Sequence, residues 1–70
     1  MTIAREDVER MRELARKVSG ERNLVVIHEL EHGFVDYMSA KYGEKTAVRM
    51  LTKVWKFSAM LKKEAENEQQ

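Results

Sequence analysis

Helical spacing of the apolar residues runs through the whole chain, and it is the feature that most constrains the fold. No proline interrupts this spacing, and the only three glycines are Gly20, Gly33 and Gly43. Because glycine is common just past helix ends, Gly20 and Gly43 divide the sequence into three segments. We predict an all-α fold, a small three-helix bundle with helices at about 3–19, 24–42 and 45–66. The second and third helices should form a hairpin.

The cap residues agree with these boundaries. Thr2 and Asn23 are residue types that accept hydrogen bonds from the first turn of a helix, and each precedes a predicted helix. Gly20 and Gly43 are placed to cap the first two helices at their ends. Asp7 lies in the first turn of helix 1, where an acidic side chain complements the helix dipole.

The size of the chain limits how it can be stabilised. Seventy residues allow one domain, which we assign to the whole of 1–70 with a polar tail that frays from about residue 64. A domain of this size buries only about 60% of its unfolded surface, so it needs further stabilisation. Without any cysteine, disulfides cannot supply it. Regular helix packing, a partner or a metal ion remain.

The third predicted helix carries an unusually wide apolar surface. At about 100° per residue its apolar positions cover an arc of about 200°, more than one helix contact requires. We interpret the excess as a sign of two neighbours, one being the hairpin partner and the other a second copy of the chain. This predicts a homodimer through helix 3, with an interface formed by Val54, Trp55, Phe57 and Leu61.

The second helix contains a candidate metal site. The segment 28–32 reads His-Glu-Leu-Glu-His and fits the pattern H-E-x-x-H. On a helix this spacing puts two imidazoles one turn apart, where both can bind one zinc ion. Asp36 continues the same line by another turn, so His28, His32 and Asp36 are the candidate ligands. Either Asp36 orients His32 by a hydrogen bond, or the third zinc ligand comes from another segment or subunit.

Residues 25–34 locally resemble the active-site helix of zincin metallopeptidases. The resemblance covers about ten of the 70 residues, and it implies His28 and His32 as zinc ligands with Glu29 as the base. Zincins place a sheet beside this helix and take a third ligand from further along the chain. This sequence shows no strand pattern and has only two histidines. We therefore expect no catalytic residues, and zinc binding without peptidase activity stays as an alternative.

A basic stripe on the third helix is the second candidate site. No acidic residue occurs between Lys45 and Lys63. Lys45, Arg49, Lys53 and Lys56 share one stripe of the helix, which suits a nucleic-acid backbone or an acidic protein partner. The net charge of +1 for the whole chain gives no such bias, so any attraction has to be local.

Together these patterns predict a small, dimeric, non-enzymatic protein that binds or regulates a partner through a helical surface. Nucleic-acid binding through the basic stripe and zinc binding through His28 and His32 are the two alternatives. No apolar run approaches the roughly 20 residues that cross a membrane. Charges within the first seven residues disfavour a signal peptide, so we expect a cytoplasmic location.

Overall fold

The chain folds into three α-helices connected by two tight turns. The computed structural model describes residues 2–68 and contains α1 (Arg5–Gly20), α2 (Leu24–Tyr42) and α3 (Glu44–Glu68). Consecutive helices run antiparallel, so α1 and α3 are parallel. The all-α prediction and the number of helices are confirmed. Within the described part of the chain, no helix is both long enough and apolar enough to cross a membrane.

The first helix begins two residues later than the sequence predicted. α1 begins at Arg5, and its N-cap residue is Ala4, which makes no side-chain capping bond. Thr2 therefore does not cap this helix. The backbone N–H of Ala4 instead donates to the hydroxyl of Tyr42, 3.0 Å away on α2. A tertiary contact thus holds residue 4 in an extended conformation and delays the helix.

The turns on either side of α2 follow the prediction more closely. The side chain of Asn23 accepts a hydrogen bond from the N–H of Val25 at 2.9 Å, which caps α2. Gly43 ends α2 with a φ of 91°, and it is the only described residue with a positive φ. Its N–H donates to the carbonyl of Ser39. Gly20 is simply the last helical residue of α1, and it does not form the left-handed cap expected of it.

The C-terminal segment is helical for longer than predicted. α3 continues through Glu68, although we expected the chain to fray from about residue 64. Ala65 and Glu66 lie beside the turn between α1 and α2, where they share a surface depression with Ser19 and Arg22. Residues 62–67 are nevertheless all exposed, so this end of α3 adds no side chain to the core. Gln69 and Gln70, the end of the predicted tail, lie outside the described residues.

α3 is the central helix, and the core lies where it meets the other two. Val54 is 1% exposed, and Met38 and Met50 are also completely covered. The wide apolar arc of α3 is met by α1 on one flank and by α2 on the other. The second neighbour that we assigned to another copy is therefore α1 of the same chain. The buried apolar residues are Leu14, Ala15, Val18, Phe34, Met38, Ala47, Met50 and Val54.

Candidate functional site

Each flank of α3 borders a surface groove, and the groove beside α1 is lined by basic and apolar side chains. One part of this α1/α3 groove encloses about 240 Å³ and is lined by Val8, Met11, Arg12, Lys53, Val54 and Phe57. A second part of about 230 Å³ is lined by Ile3, Thr46, Arg49, Met50 and Lys53. Lys53 lines both parts, so the two parts adjoin along α3, and we refer to them together as the α1/α3 groove.

The α1/α3 groove is electropositive. Arg12, Arg49 and Lys53 line it, and no acidic side chain is among its described lining residues. Arg12 forms an ion pair with Glu9 at 3.1 Å, but both side chains are more than half exposed and solvent weakens the pair. Arg5 is on the same stripe of α1, seven residues before Arg12, and Arg16 follows four residues after it.

The predicted basic stripe extends from the groove onto the outer side of α3. All four of its residues are exposed. Arg49 and Lys53 line the α1/α3 groove, and at 100° per residue Lys45 and Lys56 lie within about 40° of Arg49, toward the outer side of α3. Arg12, on the opposite wall, was missed from the sequence. The spacing of Arg5, Arg12 and Arg16 at i, i+7 and i+11 was the signal that could have identified it.

The four residues of the predicted dimer interface do not share one outward surface. Val54 lies in the core of the monomer, and Leu61 is half-buried against that core. Trp55 and Phe57 are 50% and 37% exposed, but they lie on opposite flanks of α3. Phe57 belongs to the α1/α3 groove, while the indole N–H of Trp55 donates to Glu31 of α2. Dimerisation stays a prediction.

The α2/α3 groove contains the predicted metal ligands. It encloses about 240 Å³ and is lined by His28, Glu31, His32, Val35, Asp36 and Leu51. The structure thus brings both histidines and Asp36 to one groove. Within residues 2–68, however, no group of three or more His, Asp or Glu side chains is arranged to hold a metal ion. Zinc binding by this groove stays a prediction that would need a ligand from elsewhere.

A buried carboxylate joins α1 to α2, and it was not anticipated. Asp7 is 0% exposed. Its two carboxylate oxygens accept from Arg10 at 2.7 Å, from Lys41 at 2.7 Å and from the Tyr42 hydroxyl at 2.5 Å. Arg10 also donates to the hydroxyl of Tyr37 and stacks over its ring, 4.5 Å from the centroid. We call Asp7, Arg10, Lys41 and Tyr42 the Asp7 cluster.

These contacts shift the ionisation of the whole cluster. The hydrogen bond from Lys41, followed by that from Tyr42, lowers the pKa of Asp7 from 3.8 to about 2, against the opposing effect of burial. The bond to Asp7 in turn raises the pKa values of Lys41, Arg10 and Tyr42. Asp7 is therefore ionised at neutral pH, and its charge is compensated by two cations and a hydroxyl.

A sequence signal for the Asp7 cluster did exist. Asp7 lies on the same stripe of α1 as Met11, Leu14 and Val18, at i, i+4, i+7 and i+11. An acidic residue on an apolar stripe is rarely fully buried without partners, so this position indicated a buried pair. Interpreting Asp7 only as a complement to the helix dipole overlooked it.

Comparisons of the chain with protein-family models, with curated proteins and with solved structures find no match. The class that the fold itself defines is a small three-helix bundle with a basic groove on one flank of its central helix.

Proposed function

We propose that this chain is a non-enzymatic binding protein, and that its α1/α3 groove and the adjoining outer side of α3 bind an anionic macromolecule. One observation carries most of the argument: Arg12, Arg49 and Lys53 come together along one groove without an acidic neighbour in its described lining. The helical binding surface expected from the sequence is thereby extended from one helix to two.

The charge distribution between the helices supports this proposal. α3 has only basic charges from residue 45 to residue 63, whereas α2 carries three acidic side chains and a single lysine. That lysine, Lys41, already pairs with buried Asp7. The chain is nearly neutral overall, so the asymmetry creates a local field that would steer and orient an anionic partner. A nucleic-acid backbone, bound through Lys45, Arg49, Lys53 and Lys56, is one such partner.

The Asp7 cluster has shifted pKa values, but it lies outside the proposed binding surface. Strongly shifted pKa values often mark catalytic groups. Among the described residues, clear shifts occur at Asp7, Arg10, Lys41 and Tyr42, which bond to one another. Because the Asp7 carboxylate is buried and its bonds connect α1 to α2, we assign this cluster a structural role.

Fluorescence anisotropy with labelled anionic probes tests the proposed function. The probes are a DNA duplex of about 20 base pairs and an acidic helical peptide, each measured between about 50 and 200 mM salt. We expect at least one probe to bind with a Kd that rises with salt. The double variant Arg49→Glu with Lys53→Glu should weaken that binding by at least about tenfold, since it reverses two charges of the groove.

Lys62→Glu is the matched control. Lys62 is on the same helix, but it lies beside the turn between α1 and α2 instead of the α1/α3 groove. The control should have much less effect than a single reversal at Lys53. Failure of both probes to bind at low salt, or equal losses for Lys62→Glu and Lys53→Glu, would contradict the proposed function.

A further inference from the structure

The α1/α3 groove has an apolar floor between its basic walls, and this combination narrows the class of partner. We propose that the groove binds an amphipathic helix of a partner protein, with the apolar side of that helix on the floor and acidic side chains facing Arg12, Arg49 and Lys53. This inference rests on the proposed function and names the partner that the proposed function leaves open.

The floor presents apolar surface that a phosphate backbone would not bury. Val8 and Met11 of α1 and Phe57 of α3 line it, and Phe57 remains 37% exposed among basic neighbours. Met60 follows three residues after Phe57 and is 58% exposed. Burying apolar surface is the main driving force of most protein association, and methionine adapts its shape to a partner. The floor therefore favours a protein partner over nucleic acid.

The length of the groove suits a helix. From Thr46 to Phe57 the two parts of the groove extend over twelve residues of α3, a rise of about 16 Å at 1.5 Å per residue. A docked helix with apolar anchors at i, i+4 and i+7 needs about 10 Å. Ile3 adds apolar surface at the far end of the floor. Three consecutive anchors of a partner helix can thus contact the floor.

The walls determine the charge of that helix. Arg12 stands on the α1 wall and Lys53 on the α3 wall, with Arg49 one turn before Lys53. Acidic side chains on both sides of the apolar stripe would each meet a cation, whereas basic ones would be repelled. The exposed pair between Arg12 and Glu9 is weak enough for a partner carboxylate to replace it.

The groove on the other flank lacks this complementarity. Trp55 is also half-exposed there, but its indole N–H is already bonded to Glu31. Glu31 and Asp36 line the α2/α3 groove and would repel an acidic helix. The choice between the two flanks therefore follows from charge.

A peptide titration with the full chain tests this inference. The probe is a fluorescent peptide of about 18 residues, long enough to form a helix, with leucines on one face and glutamates on both sides of that face. A second peptide has lysine at each glutamate position. We expect the acidic peptide to bind at least about tenfold more tightly than the basic one, because its flanks meet the basic walls.

Phe57→Ala separates this inference from the proposed function. It should weaken binding of the acidic peptide by about tenfold, since the partner helix would bury Phe57 as an anchor, and weaken DNA binding far less, since phosphates contact the basic walls. Trp55→Ala, which truncates the exposed aromatic residue on the other flank, should change neither affinity. Circular dichroism melting confirms folding, and Phe57→Gln replaces Phe57→Ala if the latter does not fold.

The remaining outcomes each overturn one proposal or both. The partner-helix proposal is overturned if Phe57→Ala binds the acidic peptide as tightly as the wild type does, or if both peptides bind equally. The proposed anionic partner is still upheld in that case if the double variant Arg49→Glu with Lys53→Glu lowers the affinity for DNA. If the wild-type chain self-associates and Phe57→Ala does not, a second copy of the chain fills the groove. That result also overturns the partner-helix proposal. Binding of neither peptide nor DNA overturns both proposals.

Discussion

The two flanks of α3 face grooves of opposite character, although one helix contributes to both. Arg12 and Lys53 form the walls of the α1/α3 groove, whereas Glu31 and Asp36 line the α2/α3 groove. α3 itself has no acidic residue between positions 45 and 63. The character of each groove therefore depends on the helix packed beside α3, and a basic stripe on one helix does not define a binding surface by itself.

The two exposed aromatic residues make the same point. Trp55 and Phe57 are two positions apart in sequence, and a helical step of 100° per residue sends them to opposite flanks. The polar atom of Trp55 is satisfied by Glu31 within the chain. Phe57 offers only apolar surface beside Lys53 and Arg12. The unpartnered apolar surface between cations thus lies on the α1 side.

The helices that flank α3 are also held by two different kinds of interaction. α1 and α2 each pack on α3 through apolar side chains, and the buried carboxylate of the Asp7 cluster connects α1 to α2. Acid should therefore weaken the connection between α1 and α2 and leave the apolar contacts with α3 in place. The largest effect that we predict uses this difference.

The stability of the chain should fall between about pH 4 and pH 2. The pKa of Asp7 is lowered from 3.8 to about 2, so its stabilising contribution is complete above pH 3.8 and is lost as the pH falls through about 2. Thermal unfolding followed by circular dichroism across this range measures the loss. Asp7→Asn should be less stable at pH 7 and should show a shallower dependence on pH.

Glu9→Gln is the control for that experiment, because Glu9 is an exposed carboxylate two residues further along the same helix. Its pH profile should match the wild type apart from a small offset. If the stability of Asp7→Asn falls with pH as steeply as that of the wild type, the Asp7 cluster does not connect α1 to α2 in the way we describe.

Charge reversal on the α1 wall should have the next largest effect. Arg12→Glu is expected to weaken binding of the acidic peptide by about tenfold, since one cation of the groove is replaced by an anion. Arg22→Glu makes the same change beside the turn between α1 and α2, away from the groove. Equal losses for the two variants would indicate a general charge effect and would remove the contrast between the flanks.

A smaller effect is predicted at Trp55. Trp55→Phe keeps an aromatic ring and removes the hydrogen bond to Glu31, which should lower the free energy of unfolding by about 1 kcal/mol. Peptide affinity should not change, because this bond lies on the α2 flank. Urea unfolding and the peptide titration measure the two quantities. Loss of peptide binding in this variant would indicate that the peptide binds on the α2 flank, which contradicts our proposal.

The smallest effect is expected from zinc. His28 and His32 offer two ligands, and the described residues provide no third in a suitable arrangement. We therefore expect about 0.1 mM zinc to raise the melting temperature by less than about 2 °C. A larger rise that disappears in His28→Ala would establish a metal site in the α2/α3 groove and give that flank a function of its own.

The sequence predicted individual helices better than the contacts between them. The spacing of apolar residues, the Asn23 cap and Gly43 gave α2 its correct boundaries. The predictions failed at residues that contact another helix. Tyr42 binds the backbone of Ala4 and shifts the start of α1, and Asp7 finds its partners on α2, 34 and 35 residues away. No local pattern contains such distant contacts.

The candidate site divides in the same way. Arg49 and Lys53 were identified from the sequence, but Arg12 was not, because the relative rotation of α1 and α3 decides which basic residues meet. Val54 and Leu61 were assigned to a dimer interface because their apolar arc seemed too wide for one neighbour. Two neighbours within the chain cover the middle of that arc and leave its edges partly exposed.

The sequence by itself determined that the chain is helical, where its second helix begins and ends, and that its third helix is basic and widely apolar. These properties follow from local backbone preferences and from periodicity along a single helix. The tertiary structure alone decided that α3 is central, which cations pair with Asp7, and that the basic and apolar side chains share the α1/α3 groove. The physical reason is that helix packing fixes the rotation of each helix about its axis, and only that rotation selects the side chains that meet.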